Sequence, residues 1–216
     1  MGLLGRIADL IYPPKCPFCR TLLADETPVC HQCGKTILSL TVGQTEGEWF
    51  SGCLWAIPYR DEYRDAILRF KFEGTRYYSR AFGLVLAQAI QRQGISWDVI
   101  TWTPVSAKRR RERGYDQAEL LANQTAALLG ARPVRLLEKV KHTPAQSGMD
   151  SATARKSNIK GAYEARNPEL ISGKKVLLID DIVTTASTLS ECSKTLLKAG
   201  AESVWCAALA GTELSD

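Results

Sequence analysis

The sequence predicts an α/β fold, a parallel sheet flanked by helices, with a small metal-stapled module in front of it. Three observations carry that prediction. The stretch Val176 to Thr188, VLLIDDIVTTAST, runs a β-branched apolar segment into two acids and a hydroxyl-rich turn just before a helical pattern. Upstream, strand-like and helix-like patterns alternate, strand, helix, strand, twice over. Near the start, Cys16 and Cys19, then Cys30 and Cys33, form two CxxC pairs.

The 216 residues, 45% hydrophobic and 24% charged, have room for one full domain and a small second one. No apolar run approaches a membrane span, so no membrane insertion is expected. A net charge of +5 and a pI near 8.8 are modest for a nucleic-acid binder and do not decide the partner. Met1 to Tyr12 sets Leu3, Leu4, Ile7, Leu10 and Ile11 against Arg6 and Asp9, a short docking helix rather than a signal peptide. Gly2 does not make a myristoylation motif, because Arg6 stands where Ser or Thr is needed. The expected location is the cytoplasm.

CPFC and CHQC are separated by ten residues. Each pair can wrap one side of a tetrahedral Zn(II) and so order a segment too small for its own core. Disulfides are the alternative, disfavoured in a reducing compartment, and an iron-sulfur cluster is a lesser one. With no open coordination position, the metal reads as structural. Gly34 permits a knuckle turn, and His31 is a bystander. Thr41 to Glu48, TVGQTEGE, has the composition of a linker and divides a zinc-ribbon-like module, 1–42, from the main domain, 49–216.

Tyr63, Ala66, Ile67 and Phe70 form one helical stripe, and Phe82, Val85, Leu86, Ala89 and Ile90 another. Asp98 to Thr103 reads as a strand. It leads into Thr103-Pro104-Val105-Ser106 and the basic run Lys108-Arg109-Arg110-Arg111-Glu112-Arg113, which fits a solvated helix face, a diphosphate clamp or a nucleic-acid contact. Ala118, Leu121, Ala122, Thr125, Leu128 and Leu129 make a helix closed by Gly130, and Pro133 to Val140 a further strand. The long polar segment that follows, carrying Lys141, His142, Arg155 and Lys156, has the length of a lid.

Asp180 and Asp181 fall where the strand Lys175 to Ile179 ends, the place at which open α/β sheets bind ligands, and alternation aims them to opposite faces. Thr184, Thr185, Ala186, Ser187 and Thr188 then feed a helix of Leu189, Cys192, Leu196 and Leu197 closed by Gly200, with Thr188 and Glu191 spaced as a capping box. Unpaired N–H groups and hydroxyls there suit a phosphate. Cys192 and Cys206 belong to apolar patterns, and Cys53 has no assigned role.

LLIDDIVTTAST resembles the diphosphate-sugar motif of type I phosphoribosyltransferases. Together with the CxxC pairs, RGYDQAELLA from Arg113, HTPAQ from His142 and RKSNIKGAY from Arg155, it resembles the ComF/GntX family over nearly the whole chain. That resemblance implies a type I phosphoribosyltransferase-like domain behind a zinc-ribbon-like module, and a link to DNA uptake in bacterial transformation. Two departures are Tyr115-Asp116 where the family often has Phe-Asn, and Ala186 where the motif usually has Gly, whose methyl resists positive φ.

Two functions follow from the resemblance. In the first, the chain binds 5-phosphoribosyl 1-diphosphate with Mg(II). Asp180 and Asp181 accept the ribose hydroxyls and Thr184 to Thr188 hold the 5-phosphate. Thr103 to Ser106 with Arg109 and Arg113 take the diphosphate, and Lys141, Arg155 and Lys156 serve the lid, with no protein nucleophile and an unread acceptor. In the second, the fold binds single-stranded DNA alongside DNA-uptake proteins, and Trp49, Phe50, Trp55, Tyr59 and Tyr63 stack bases, although packing is the commoner use of such residues. Homodimers are common among related folds.

Overall fold

The structure is a computed structural model that describes residues 13–23, 27–141 and 159–212. The docking-helix segment 1–12 and the lid residues His142, Arg155 and Lys156 lie outside them. Chain order gives α1 (His31–Ser39), β1 (Gly43–Thr45), β2 (Gly52–Pro58), α2 (Asp61–Phe72), α3 (Tyr78–Gln93) and β3 (Val99–Trp102). It continues with α4 (Ala107–Arg113), α5 (Gln117–Leu128), β4 (Leu137–Lys139), β5 (Tyr163–Ala165), a 3-10 turn, β6 (Lys175–Val183), α6 (Ser187–Lys198) and β7 (Ser203–Gly211).

The main sheet has the order β1-β2-β7-β6-β3, parallel except for β1 at one edge. Its central strands are buried on both faces, which is why β6 and β7 read as continuous apolar runs. Alternation divides the core. Leu177 and Ile179 face α2, α3 and α5, while Val176 and Leu178 face α6 and the small β4–β5 sheet. The helical stripes of α2 and α3 are buried as expected. Gly94, Gly130 and Gly200 take the positive φ that lets α3, α5 and α6 stop.

Four expectations are corrected. The linker-like stretch contains β1, whose Gly43 lets the Trp55 indole lie against it; a Cβ there would stand 2.0 Å from the ring. Gly34 sits inside α1 instead of in a knuckle turn, its N–H bonded to Cys30 O at 2.9 Å. The strand expected over residues 133–140 is confined to β4, Leu137–Lys139, outside the main sheet. These residues brush β3 through Val134 N–H to Ile100 O, 2.8 Å, and then pair with β5. Finally β6 runs on past Ile179 to Val183, so both acids are strand residues.

The cysteine module is not a free appendage. Phe18, from the first CxxC loop, is buried with its ring 5.6 Å from Tyr63 of α2 and 5.9 Å from Phe82 of α3. Arg69 Nη2 donates to Pro17 O at 2.8 Å and Arg92 Nη1 to Leu38 O at 3.1 Å, so both helices hold the module by its backbone.

Candidate functional site

The candidate site is built on the carboxyl-terminal half of β6 and the residues just past β3. Thr103, one residue past β3, donates its N–H to Ile179 O at 3.0 Å, which sets it beside Asp180. Asp180 is buried and its Oδ1 accepts from Asp181 N–H at 2.8 Å. Burial and then the charge of Asp181 push its pKa up to about 7, opposed by Thr103, the Asp181 amide and Lys71. Asp181, on the other face, pairs with Lys71 Nζ at 2.9 Å. Lys71, from the end of α2, is a site residue that sequence reasoning missed.

A second set of groups meets Asp180 from the opposite layer. Lys139 of β4 lies 5.1 Å over the Tyr163 ring, and burial, then Arg109, lower its pKa while Cys192 and Asp180 raise it. Burial drives the Tyr163 hydroxyl well above its ordinary value, reinforced by Cys192 and Asp180. Cys192 and Cys206 are core residues as expected, and Cys53 joins them as the register partner of Cys206.

The loop after β6 keeps its positive φ although alanine occupies it. Ala186 has φ 52° and ψ 6° and is the N-cap of α6, with no side-chain cap hydrogen bond. The capping box is not formed there, because α6 begins at Ser187 and Glu191 accepts instead from Gly161 N–H at 2.6 Å. The same spacing does act at Asp116 and Glu119. Asp116 Oδ1 accepts from Glu119 N–H at 3.2 Å to cap α5, and its Oδ2 accepts from Val105 N–H at 2.9 Å. Asp116 is therefore an acceptor twice over, and the donation an asparagine would offer has no task in these two bonds. Burial, its largest influence, pushes its pKa up to about 6.

The basic run resolves by residue. Ser106 caps α4 by accepting from Arg109 N–H at 3.4 Å. Lys108 faces Glu112 at 4.0 Å and Arg110 faces Glu119 at 3.0 Å. Arg113 donates to Gln117 Oε1 at 2.9 Å and lies over the Phe72 ring at 5.0 Å. Arg109 is half-buried near Lys139 and Tyr163, with its pKa lowered by burial and then by Arg113. Lys141 is exposed and donates to Lys160 O at 3.3 Å.

In the N-terminal module the Cys16, Cys19, Cys30 and Cys33 sulfurs all lie within 4.8 Å of one another. Sulfurs at ~2.3 Å from a tetrahedral Zn(II) stand about 3.8 Å apart, so the set fits that ion.

Comparison with known proteins agrees with this architecture. A phosphoribosyl transferase domain model matches residues 116–213 and a double zinc ribbon domain model residues 7–43. Competence protein F of Haemophilus influenzae is 30% identical over 194 residues, 82% of either chain. The chain belongs to the ComF family. A further relative is DNA utilization protein YhgH of Salmonella typhi, 32% identical over 150 residues, 68% of this chain and 60% of that one. Competence protein ComFC of Streptococcus pneumoniae is 30% identical over 154 residues, 68% of this chain and 62% of its own length. Among solved structures, the allosteric regulatory enzyme of purine biosynthesis aligns at a TM-score of 0.41 and 20% identity, over 60% of this chain and 25% of that one. For this ComF chain, the zinc ribbon match and the four-sulfur cluster together support a structural zinc. Among the described residues no helix is long and apolar enough to cross a membrane.

Proposed function

We propose that the candidate site binds 5-phosphoribosyl 1-diphosphate with Mg(II), and that this ComF chain acts in the cytoplasm in the handling of incoming DNA. The observation that carries the ligand is the N-terminus of α6. Ala186 turns the chain at positive φ as the N-cap of α6, with no side-chain cap hydrogen bond of its own, just past two acids on one strand. The first amides of α6 and the hydroxyls of Thr184, Thr185, Ser187 and Thr188 would take the 5-phosphate. Asp180 and Asp181 would accept the ribose hydroxyls. The loop Thr103, Pro104, Val105 and Ser106, pinned by Asp116, would cradle the diphosphate with Arg109 and Arg113. Lys141, Arg155 and Lys156 would close over it. Mg(II), when bound, supplies neutralising charge for the diphosphate.

If transfer occurs, departure of diphosphate leaves an oxocarbenium-like sugar, so positioning and neutralised charge carry the rate and no protein nucleophile is used. The relatives' names support the link to competence and DNA use. Calorimetry with the diphosphate sugar and Mg(II) tests the reading. It requires binding by the wild type that is lost in Asp180→Asn with Asp181→Asn, and equal binding by both chains sinks it. Diphosphate release against a panel of nucleobases tests turnover.

A second reading, binding of single-stranded DNA, is supported by a different set of rings from those expected. Trp55 and Tyr63 are buried, and Trp49, Phe50 and Tyr59 are only partly exposed. Phe72 and Tyr77, by contrast, are 67% and 46% exposed, with Arg113 over Phe72 and Arg76 next to Tyr77 in the chain. Oligonucleotide affinity that falls with salt and drops in Phe72→Ala with Tyr77→Ala is expected; salt-insensitive or absent binding counts against it.

A further inference from the structure

Lys71, at the end of α2, meets the acid pair directly. Its ammonium stands 2.9 Å from Asp181 Oδ2, and the two side chains are only 16% and 14% exposed. A pair this sheltered is not screened away like one on an open surface. Alternation along β6 explains why Lys71 pairs with Asp181 and reaches Asp180 only through its charge. Asp181 shares the face of Leu177 and Ile179, the α2 side, whereas Asp180 looks toward Lys139 and Tyr163.

The end of α2 is fixed on several sides. The Tyr115 hydroxyl donates to Phe70 O, the Arg113 guanidinium lies over Phe72 at 5.0 Å, and Arg69 holds Pro17 O at 2.8 Å. Lys71 sits between Phe70 and Phe72, so its backbone is held and its ammonium is presented from a rigid element. Less freedom is then left to lose when a ligand arrives.

We infer that Lys71 is a positioning residue for the sugar half of the ligand. It occupies Oδ2 of Asp181, fixes that carboxylate in place, and leaves Oδ1 to accept a ribose hydroxyl. A carboxylate offers about four lone-pair directions, so an ammonium and a hydroxyl can share it. A charged acceptor also makes roughly twice as strong a hydrogen bond as a neutral one. The diphosphate half of the site, Thr103 to Ser106 and Arg109, does not need Lys71, whose charge is spent on the acid. This inference rests on the phosphoribosyl diphosphate reading.

Calorimetry on the full chain, with Mg(II) throughout, compares three probes: phosphoribosyl diphosphate, ribose 5-phosphate and inorganic diphosphate. In Lys71→Met both sugar probes should weaken by about tenfold or more, inorganic diphosphate should change by less than about twofold, and Lys71→Arg should recover most of the sugar affinity. Lys71→Gln, with its melting midpoint, replaces the Met variant if that variant is poorly folded. Equal losses for all three probes, a loss confined to inorganic diphosphate, or unchanged affinities in a binding-competent chain overturn the inference alone. A wild-type chain that binds neither sugar probe overturns the ribose reading and the inference with it.

Discussion

Replacing Asp180 by asparagine should make the ligand-free protein more stable at neutral pH, even though Asp180 is assigned to the ribose. Burial and then the neighbouring Asp181 raise its pKa from the ordinary 3.8 to about 7. The folded chain therefore holds this proton more tightly than the unfolded chain does. Between those two values the folded state is protonated and the unfolded state is not, so stability falls as pH rises across the interval and levels off above it. At about 1.36 kcal/mol for each pH unit, the full interval corresponds to roughly 4 kcal/mol as an upper bound. Asparagine keeps a carbonyl that can accept the Asp181 N–H, 2.8 Å away in the wild type, and carries no charge to bury. In a domain of this size half of that bound corresponds to about 4–8 °C of melting midpoint. Differential scanning fluorimetry at pH 5 to 8, without Mg(II) or phosphate, should show the wild type losing stability up to about pH 7. The variant should level off only above about pH 6, the value to which burial raises Asp116. A lower midpoint than the wild type at neutral pH, or a slope parallel to it, would refute the electrostatic reasoning.

Phe18→Ala should cost about 3–5 kcal/mol, because the ring is buried against Tyr63 and Phe82. Thermal unfolding should stay a single transition at a much lower midpoint, and a separate early transition would contradict the shared core. Metal analysis should find zinc in the wild type and a deficit in Cys16→Ser, and a strong chelator should lower the melting midpoint of the whole domain; a midpoint indifferent to chelation argues against the structural role. For Ala186→Gly, relief of the left-handed conformation, about 1–2 kcal/mol, is set against about 0.8 kcal/mol of lost methyl burial and about 0.4–1 kcal/mol of added unfolded-chain freedom. The midpoint should hence move by less than about 4 °C, and a larger loss would show that the methyl packs more tightly than this balance allows.

The parts of the fold legible in the sequence were those whose signal is local. The α2 and α3 stripes, the two CxxC pairs and the run into Asp180 all declare themselves within a dozen residues. Strands β2 and β7 are hard to read because GCLWAIP and SVWCAALAG, unlike β6, run into no acid pair or hydroxyl-rich turn that marks where an apolar run ends as a strand. Lys71 looks like any lysine near a helix end, and its partner lies far downstream, so only the folded chain pairs them. The cap spacing at Thr188 and Glu191 forms no box, since Gly161 claims the glutamate, whereas the same spacing at Asp116 and Glu119 caps α5. That second pattern was there to be found, since an acid followed three residues later by glutamate before an apolar helix is a start signal.

The central position of β7 bears on how the chain can be made. Strand β2 appears early during synthesis, but its parallel neighbour begins only at Ser203, and β6 waits for the same strand. Until the ribosome has passed Gly211, the sheet is two separated pieces with unpaired edges facing the gap that β7 will fill. The cysteine module, α2 and α3 can associate long before that, giving the nascent chain an early foothold beside unfinished strands. A chain stopped near residue 200 would therefore lose the middle of its sheet, and those exposed edges would make it a natural client for chaperones.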